Sequence, residues 1–365
     1  MSFGLMTIFF FVVLLLTLAL LSIMNVARVE KGIDFGNKAG LAVSLAIFLG
    51  WILVQVSSSA ELIKGASFVF GMAPFGLAAL ALSLYAVNKS PFNRFWIILA
   101  VTALSVLFLP ENLMMFQGYL PFWLDRCARA IAWAVFVNAY TTMDKIDNFT
   151  FIQTSAISVA LLFVPMLIVS SDRVQPFDFT FAAYPFLILG GLIGFATYKK
   201  WTPSLTMGKC GAIPLGYLRG LFLVLLTCKG WICAFIIMPA YYYFEIIYSR
   251  IYRLFHRDNP EPKVFTFFIS KVIRENLTNR RIMPFVFFVM IVLALMGVVF
   301  KPDVQFGLML ALCWLLVSII RLSRWKYGRV TYKAIFANTR DAGVEAWKNS
   351  KQAVGEVISA FKKKK

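Results

Sequence analysis

Apolar runs dominate the chain and recur at nearly even spacing, with short polar breaks between them. About 20 apolar residues suffice to cross a bilayer as a helix. Such stretches fall near 5–27, 39–57, 66–87, 95–109, 119–142, 151–170, 179–198, 211–228, 230–249, 283–300 and 304–320. The pattern predicts an all-α polytopic integral membrane protein of about eleven transmembrane helices. Each span has to be helical, because hydrocarbon offers no partner to unpaired backbone groups. The fourth stretch is short, and the fifth carries Asp125, Arg126 and Arg129. Asp125 and Arg129 stand one helical turn apart, so they are expected to pair; Arg126 and Arg219 need partners from a neighbouring helix or another subunit.

Composition removes the soluble alternative. With 60% hydrophobic, 16% aromatic and 15% charged residues in 365, the chain holds more apolar surface than soluble domains can bury. The opening "LMTIFFFVVLLLTLALLSIMNVA" lacks a basic start and an A-x-A end, and is expected to be a first membrane helix rather than a cleaved leader. Five scattered cysteines without a C-x-x-C pair read as small membrane-helix residues, with no metal or redox role.

Charge sets the expected orientation. With the N-terminus outside, the inside loops and the C-terminal tail hold 29 Lys and Arg against 4 in the outside loops, the bias of a cytoplasmic face. The arrangement is then N-out and C-in, and the net charge of +19 reflects topology rather than nucleic acid. One transmembrane domain spans 1–321, with a large cytoplasmic loop at 250–282, and a basic cytoplasmic tail follows at 322–365. In that tail Val344, Trp347, Val354, Ile358 and Phe361 fall near helical spacing, as in an amphipathic helix lying on an anionic leaflet. In the loop, the phenylalanines of "FTFF" (265–268) call for a membrane surface or a protein partner. The aromatic run "AYYYF" at 240–244 reads as packed or lipid-facing, and the G-x-x-x-G spacings Gly190/Gly194 and Gly216/Gly220 serve packing within a bundle as readily as dimerisation.

Two segments carry a specific likeness. "NAYTTMDKIDNF" at 138–149 resembles the N-x-x-N-x-x-D-G-x-D-G-L loop of polyprenyl-phosphate N-acetylhexosamine-1-phosphate transferases, the translocase I and undecaprenyl-phosphate GlcNAc-1-phosphate transferase group. Asn138, Asp144 and Asp147 match, whereas Thr141 replaces the second Asn, and Lys145 and Asn148 replace the glycines. "TPSLTMGKCGAIPLG" at 202–216 resembles the family's P-A-x-x-F-M-G-D-x-G-S-x-x-L-G, with Met207, Gly208, Gly211, Leu215 and Gly216 in place. The likeness covers about 66–325. It implies a bacterial cytoplasmic membrane, a polyprenyl-phosphate acceptor lipid and an envelope-related assembly.

The same comparison implies lost chemistry. Members of that family transfer a sugar phosphate from a uridine diphosphate donor, with Mg²⁺ neutralising charge on the phosphates. Mg²⁺ takes hard oxygen ligands, yet Lys209 stands at the M-G-D aspartate, Tyr85 and Ala86 at the early aspartate pair, and "FTFF" at the H-x-H-H motif. The resemblance therefore implies an inactive homologue without catalytic residues, metal ligands or cofactor. It would act as a scaffold or as a polyprenyl or anionic-lipid binding subunit beside a membrane-protein partner. Its vestigial cleft would comprise Asn138, Asp144, Asp147, Met207, Gly208 and Lys209, with Lys199 and Lys200 as phosphate-facing cations. Two alternatives stand beside it: an active transferase with a rebuilt site, and a transporter or channel subunit. Within the cleft, Asp144 and Lys209 are candidates for a direct ion pair in place of a metal bridge.

Overall fold

The computed structural model describes residues 3–31, 39–58, 90–107, 109, 113–116, 119–144, 146, 148–168, 180–203, 205–256, 266–275, 279–300 and 303–324. Among these residues the fold is all-helical. The helices are α1 (Phe3–Lys31), α2 (Ala39–Ser58), α3 (Pro91–Leu107), α4 (Phe122–Met143), α5 (Phe149–Ile168), α6 (Thr180–Trp201), α7 (Gly208–Cys228), α8 (Ile232–Ile237), α9 (Ala240–Phe255), α10 (Phe268–Glu275) and α11 (Asn279–Val299), followed by α12 (Val304–Arg324). Helix covers most of every predicted stretch except 66–87, which lies outside the described residues, as do the tail from residue 325 and residues 257–265 and 276–278 of the loop at 250–282. Five of these helices, α1, α6, α7, α11 and α12, are long and apolar enough to cross a membrane, and α2, α3 and α5 hold shorter apolar segments.

Helix α7 is the axis of the bundle. Of its apolar window 94% is buried, against 22% for α1 and for α12. It packs on α2, α4, α5 and α8, while α1, α2 and α6 form one flank and α11 leans on α5 and α8. Small residues permit the closest approaches. A Cβ at Gly220 would stand 2.2 Å from Trp133 Cδ1, and one at Gly216 would stand 2.9 Å from Tyr140 Cβ. The two glycines thus form the face of α7 that receives α4, and the ring of Trp133 stacks on Tyr217 and donates Nε1–H to its carbonyl at 2.9 Å. Gly190 and Gly194 likewise meet Phe10 and Leu14 on α1. Both G-x-x-x-G spacings are used inside the chain.

The helices α1 and α12 are the converse. Phe306, Met309, Leu312, Val317 and Ile320 of α12 are all exposed, an apolar face suited to lipid rather than water. In α9, by contrast, Tyr241 and Tyr242 are fully buried, so much of the aromatic run is packed core.

The predicted span 230–249 is not one helix. It breaks at Met238–Pro239 into α8 and α9. Proline has no N–H to give the carbonyl four residues earlier, and the carbonyl so orphaned, that of Phe235, accepts the Tyr243 hydroxyl at 3.3 Å. The Met238 carbonyl accepts Gln153 Nε2–H from α5 at 3.1 Å. Side chains thereby satisfy the break, as a broken helix in an apolar bundle requires.

The expectation for "FTFF" also fails where it can be read. Thr266, Phe267 and Phe268 are buried; Phe268 lies edge-on to Phe244 and Tyr248 of α9, and Thr266 shares a 2.6 Å hydrogen bond with Ser249. The buried Glu245 carboxylate accepts the N–H of Ile269 at 3.1 Å in the first turn of α10. Helix α10 is pinned to α9, and these rings need no outside partner.

Candidate functional site

The two motif segments meet at one end of the bundle. Contacts of Gly216 with Tyr140 and of Gly220 with Trp133 set α4 and α7 antiparallel. Extending that register brings Asp144, at the C-cap of α4, level with the first turns of α7. There the Met207 carbonyl accepts the Gly40 N–H at 2.9 Å. A Cβ on Gly40 would stand 2.4 Å from the Gly211 Cα, so both motif positions hold α2 and α7 at backbone contact. Gly208 adopts φ 66°, a left-handed conformation that only glycine takes without strain.

Of the anticipated cleft residues, Asn138 and Asp144 are half-buried, Met207 and Gly208 buried, Lys199 and Lys209 half-buried, and Lys200 exposed. Asp147 lies outside the described residues. The Asn138 carbonyl accepts the Thr141 and Thr142 hydroxyls at 2.8 and 2.9 Å, which ties it to its own helix. Asp144 Oδ1 accepts the Thr150 hydroxyl at 3.5 Å. No ion pair joins Asp144 to Lys209 among the described residues; Asp125 and Arg129 pair within α4, near its opposite end. The suggested carboxylate–lysine bridge across the cleft is therefore not formed.

Mg²⁺ takes hard oxygen ligands, chiefly carboxylates. Asp144 is the described carboxylate that the two motifs contribute, and Lys199, Lys200 and Lys209 lie toward the same end of the bundle. No group of three His, Cys, Asp or Glu side chains suited to a metal ion occurs among the described residues.

What the end does contain is a crevice. A cavity of about 480 Å³ opens between α5, α6 and α11, lined by Asn148, Phe151, Phe195, Lys199, Lys200 and Phe287 together with Ile152, Ala196, Met283 and Pro284. Its apolar walls come from three helices, and its polar groups collect at one edge. Lys199 Nζ donates to Asn148 Oδ1 at 2.8 Å. Asn148 holds φ 64°, which asparagine tolerates better than other residues with a side chain, and its carbonyl accepts the Ile152 N–H as α5 begins. The positive end of the α5 dipole and two ammonium groups thus point to the same edge.

The sequence marked Lys199, Lys200 and the motif position of Asn148, but not the crevice. Its walls, Phe151, Phe195, Met283, Pro284 and Phe287, belong to three separate apolar stretches with no local signal. No protein-family model and no curated protein sequence matches this chain.

Proposed function

We propose that the protein is a membrane-embedded binder of a phosphate-bearing lipid, a polyprenyl phosphate or an anionic phospholipid, built on the transferase-like plan but without its phosphotransfer. The crevice carries this reading. An amphiphile needs an apolar trough for its chain and cations for its head, and the two lie together where Lys199 and Lys200 edge a cavity walled by Phe151, Phe195 and Phe287. Its volume lies within the usual range of small-molecule sites, and each lysine near a headgroup contributes about 1 kcal/mol. Left-handed backbone at Asn148 and Gly208, both at glycine positions of the resembled motifs, supports the transferase-like plan. Lys209 in the first turn of α7 argues against a metal-bridged site. Eleven spans, the N-out orientation, the basic amphipathic tail, a bacterial cytoplasmic membrane and a protein partner belong to the same proposal.

Native mass spectrometry of the full chain, released gently from nanodiscs containing polyprenyl phosphate and phosphatidylglycerol, tests it. One retained phosphate-bearing lipid per chain is expected, with the lipid's mass telling the two sources apart. Lys199→Ala with Lys200→Ala should weaken retention by about 10- to 30-fold, two headgroup contacts' worth. Equal retention by wild type and the double variant would place the lipid elsewhere and sink the proposal. Mg²⁺-dependent exchange between uridine monophosphate and a uridine diphosphate sugar would favour an enzyme instead.

A further inference from the structure

Arg219 stands halfway along α7, whose bounds are Gly208 and Cys228, so about 15 Å of helix separates it from either end. It is fully buried. One guanidinium nitrogen, Nη2, donates to Ser158 Oγ, midway along α5. That hydroxyl gives its own proton to the Thr154 carbonyl at 2.8 Å, so Ser158 is a neutral acceptor and nothing more. The Phe222 ring lies 5.8 Å from the guanidinium carbon. Nε and Nη1 find no hydrogen-bond partner among the described residues, and the buried Tyr140 hydroxyl lies close enough to interact with both the guanidinium and Thr154.

The missing quantity is negative charge. The chain has 17 acidic residues, and within its predicted membrane stretches only Asp125 and Glu245 occur. Asp125 is bound to Arg129 at 2.8 Å, and Glu245 serves the first turn of α10. No Asp or Glu lies between residues 62 and 110, so the stretch 66–87 brings none either. A second subunit cannot touch a side chain with no exposed surface, and lipid headgroups sit half a bilayer away. Water would solvate the guanidinium without neutralising it, and an uncompensated ion at that depth costs several kcal/mol.

We propose that Arg219 holds a small monovalent anion of the halide class at the centre of the bundle, with Nε–H, Nη1–H and the Tyr140 hydroxyl as its donors. The approach runs along one face of α5, where Thr150, Gln153, Thr154 and Ser158 are all buried and follow one another at helical spacing. That face starts at the lysine-bearing end, whose three lysines raise the local concentration of anions. The site is independent of the lipid crevice and does not rest on it.

Thermal melting of the detergent-purified full chain decides the matter. The protein is exchanged into sodium gluconate, an anion too large for the site, and chloride or bromide is titrated at constant ionic strength. The melting temperature should rise saturably, by at least about 2 °C at full occupancy. Tyr140→Phe should raise the half-saturating halide concentration at least about 3-fold through loss of one donor, and Arg219→Met should abolish the response. A wild-type melt that does not distinguish halide from gluconate means that water alone serves the guanidinium, and overturns the proposal. So does a Tyr140→Phe protein with an unchanged halide response, a readout that stands even where Arg219→Met fails to fold.

Discussion

Two arginines, 90 residues apart in sequence but alike in burial, solve the same problem differently. Arg129 and Arg219 both have no exposed surface. Arg129 sits near the start of α4 with Asp125 one turn before it, and the pair is locked further: Asp125 accepts the N–H groups of Met115 and Phe116 at 3.2 and 2.8 Å, and Arg129 donates to the Leu113 carbonyl. This cluster is electrically neutral and fastens the segment at 113–116 to the helix. Arg219 has one neutral hydroxyl and an aromatic face. The difference teaches that burial says little about the role of an intramembrane charge; the inventory of counter-charges does. A neutral cluster holds structure, whereas a cation without a carboxylate is where a ligand would be sought.

The largest expected effect breaks that comparison by making the first arginine resemble the second. Asp125→Ala leaves Arg129 buried without its carboxylate and strips two backbone N–H groups of their acceptor. A loss of about 3–5 kcal/mol is expected, read as a melt many degrees below wild type. A mild effect would mean that Arg129 reaches water, and the contrast would collapse. Ser158→Ala sharpens the comparison from the other side. Removing a single neutral acceptor from a charged donor should cost about 1.5–3 kcal/mol, less than Asp125→Ala. A cost equal to that of Asp125→Ala would make Ser158 the sole support of the charge and argue against a bound anion. The smallest effect belongs to cations with access to water. Lys199→Ala should change stability by less than about 1 kcal/mol in a lipid-free detergent melt while still weakening lipid retention, which separates binding from folding.

Much of this arrangement is legible along the chain. The pairing of Asp125 with Arg129 is legible from their four-residue spacing, and the apolar runs of α1 and α12 from composition. Pro239 marked a break that periodicity alone smoothed over, because the apolar run continues through it and the compensating groups, Gln153 and Tyr243, lie elsewhere. "FTFF" misled for a similar reason. A phenylalanine-rich loop reads as exposed until α9 offers Phe244 and Tyr248 to receive it. Within the cleft, Met207, Gly208 and Gly211 were recognisable by motif, but their work in holding α7 against Gly40 was not, since Gly40 lies some 170 residues earlier and carries no mark of its own.

Sequence by itself determined the apolar, helical character of this protein and the scarcity of carboxylates within its apolar stretches, because these follow from residue types and their local spacing. It also supplied the cations. Only the tertiary structure decided where those cations act: that Lys199 and Lys200 edge a crevice walled by three helices, and that Arg219 faces the interior of the bundle rather than another chain. Such facts depend on which faces meet. In a bundle whose helices are nearly uniformly apolar, that choice is made by the few close approaches that glycines permit, at Gly40, Gly216 and Gly220, and periodicity carries almost no trace of it.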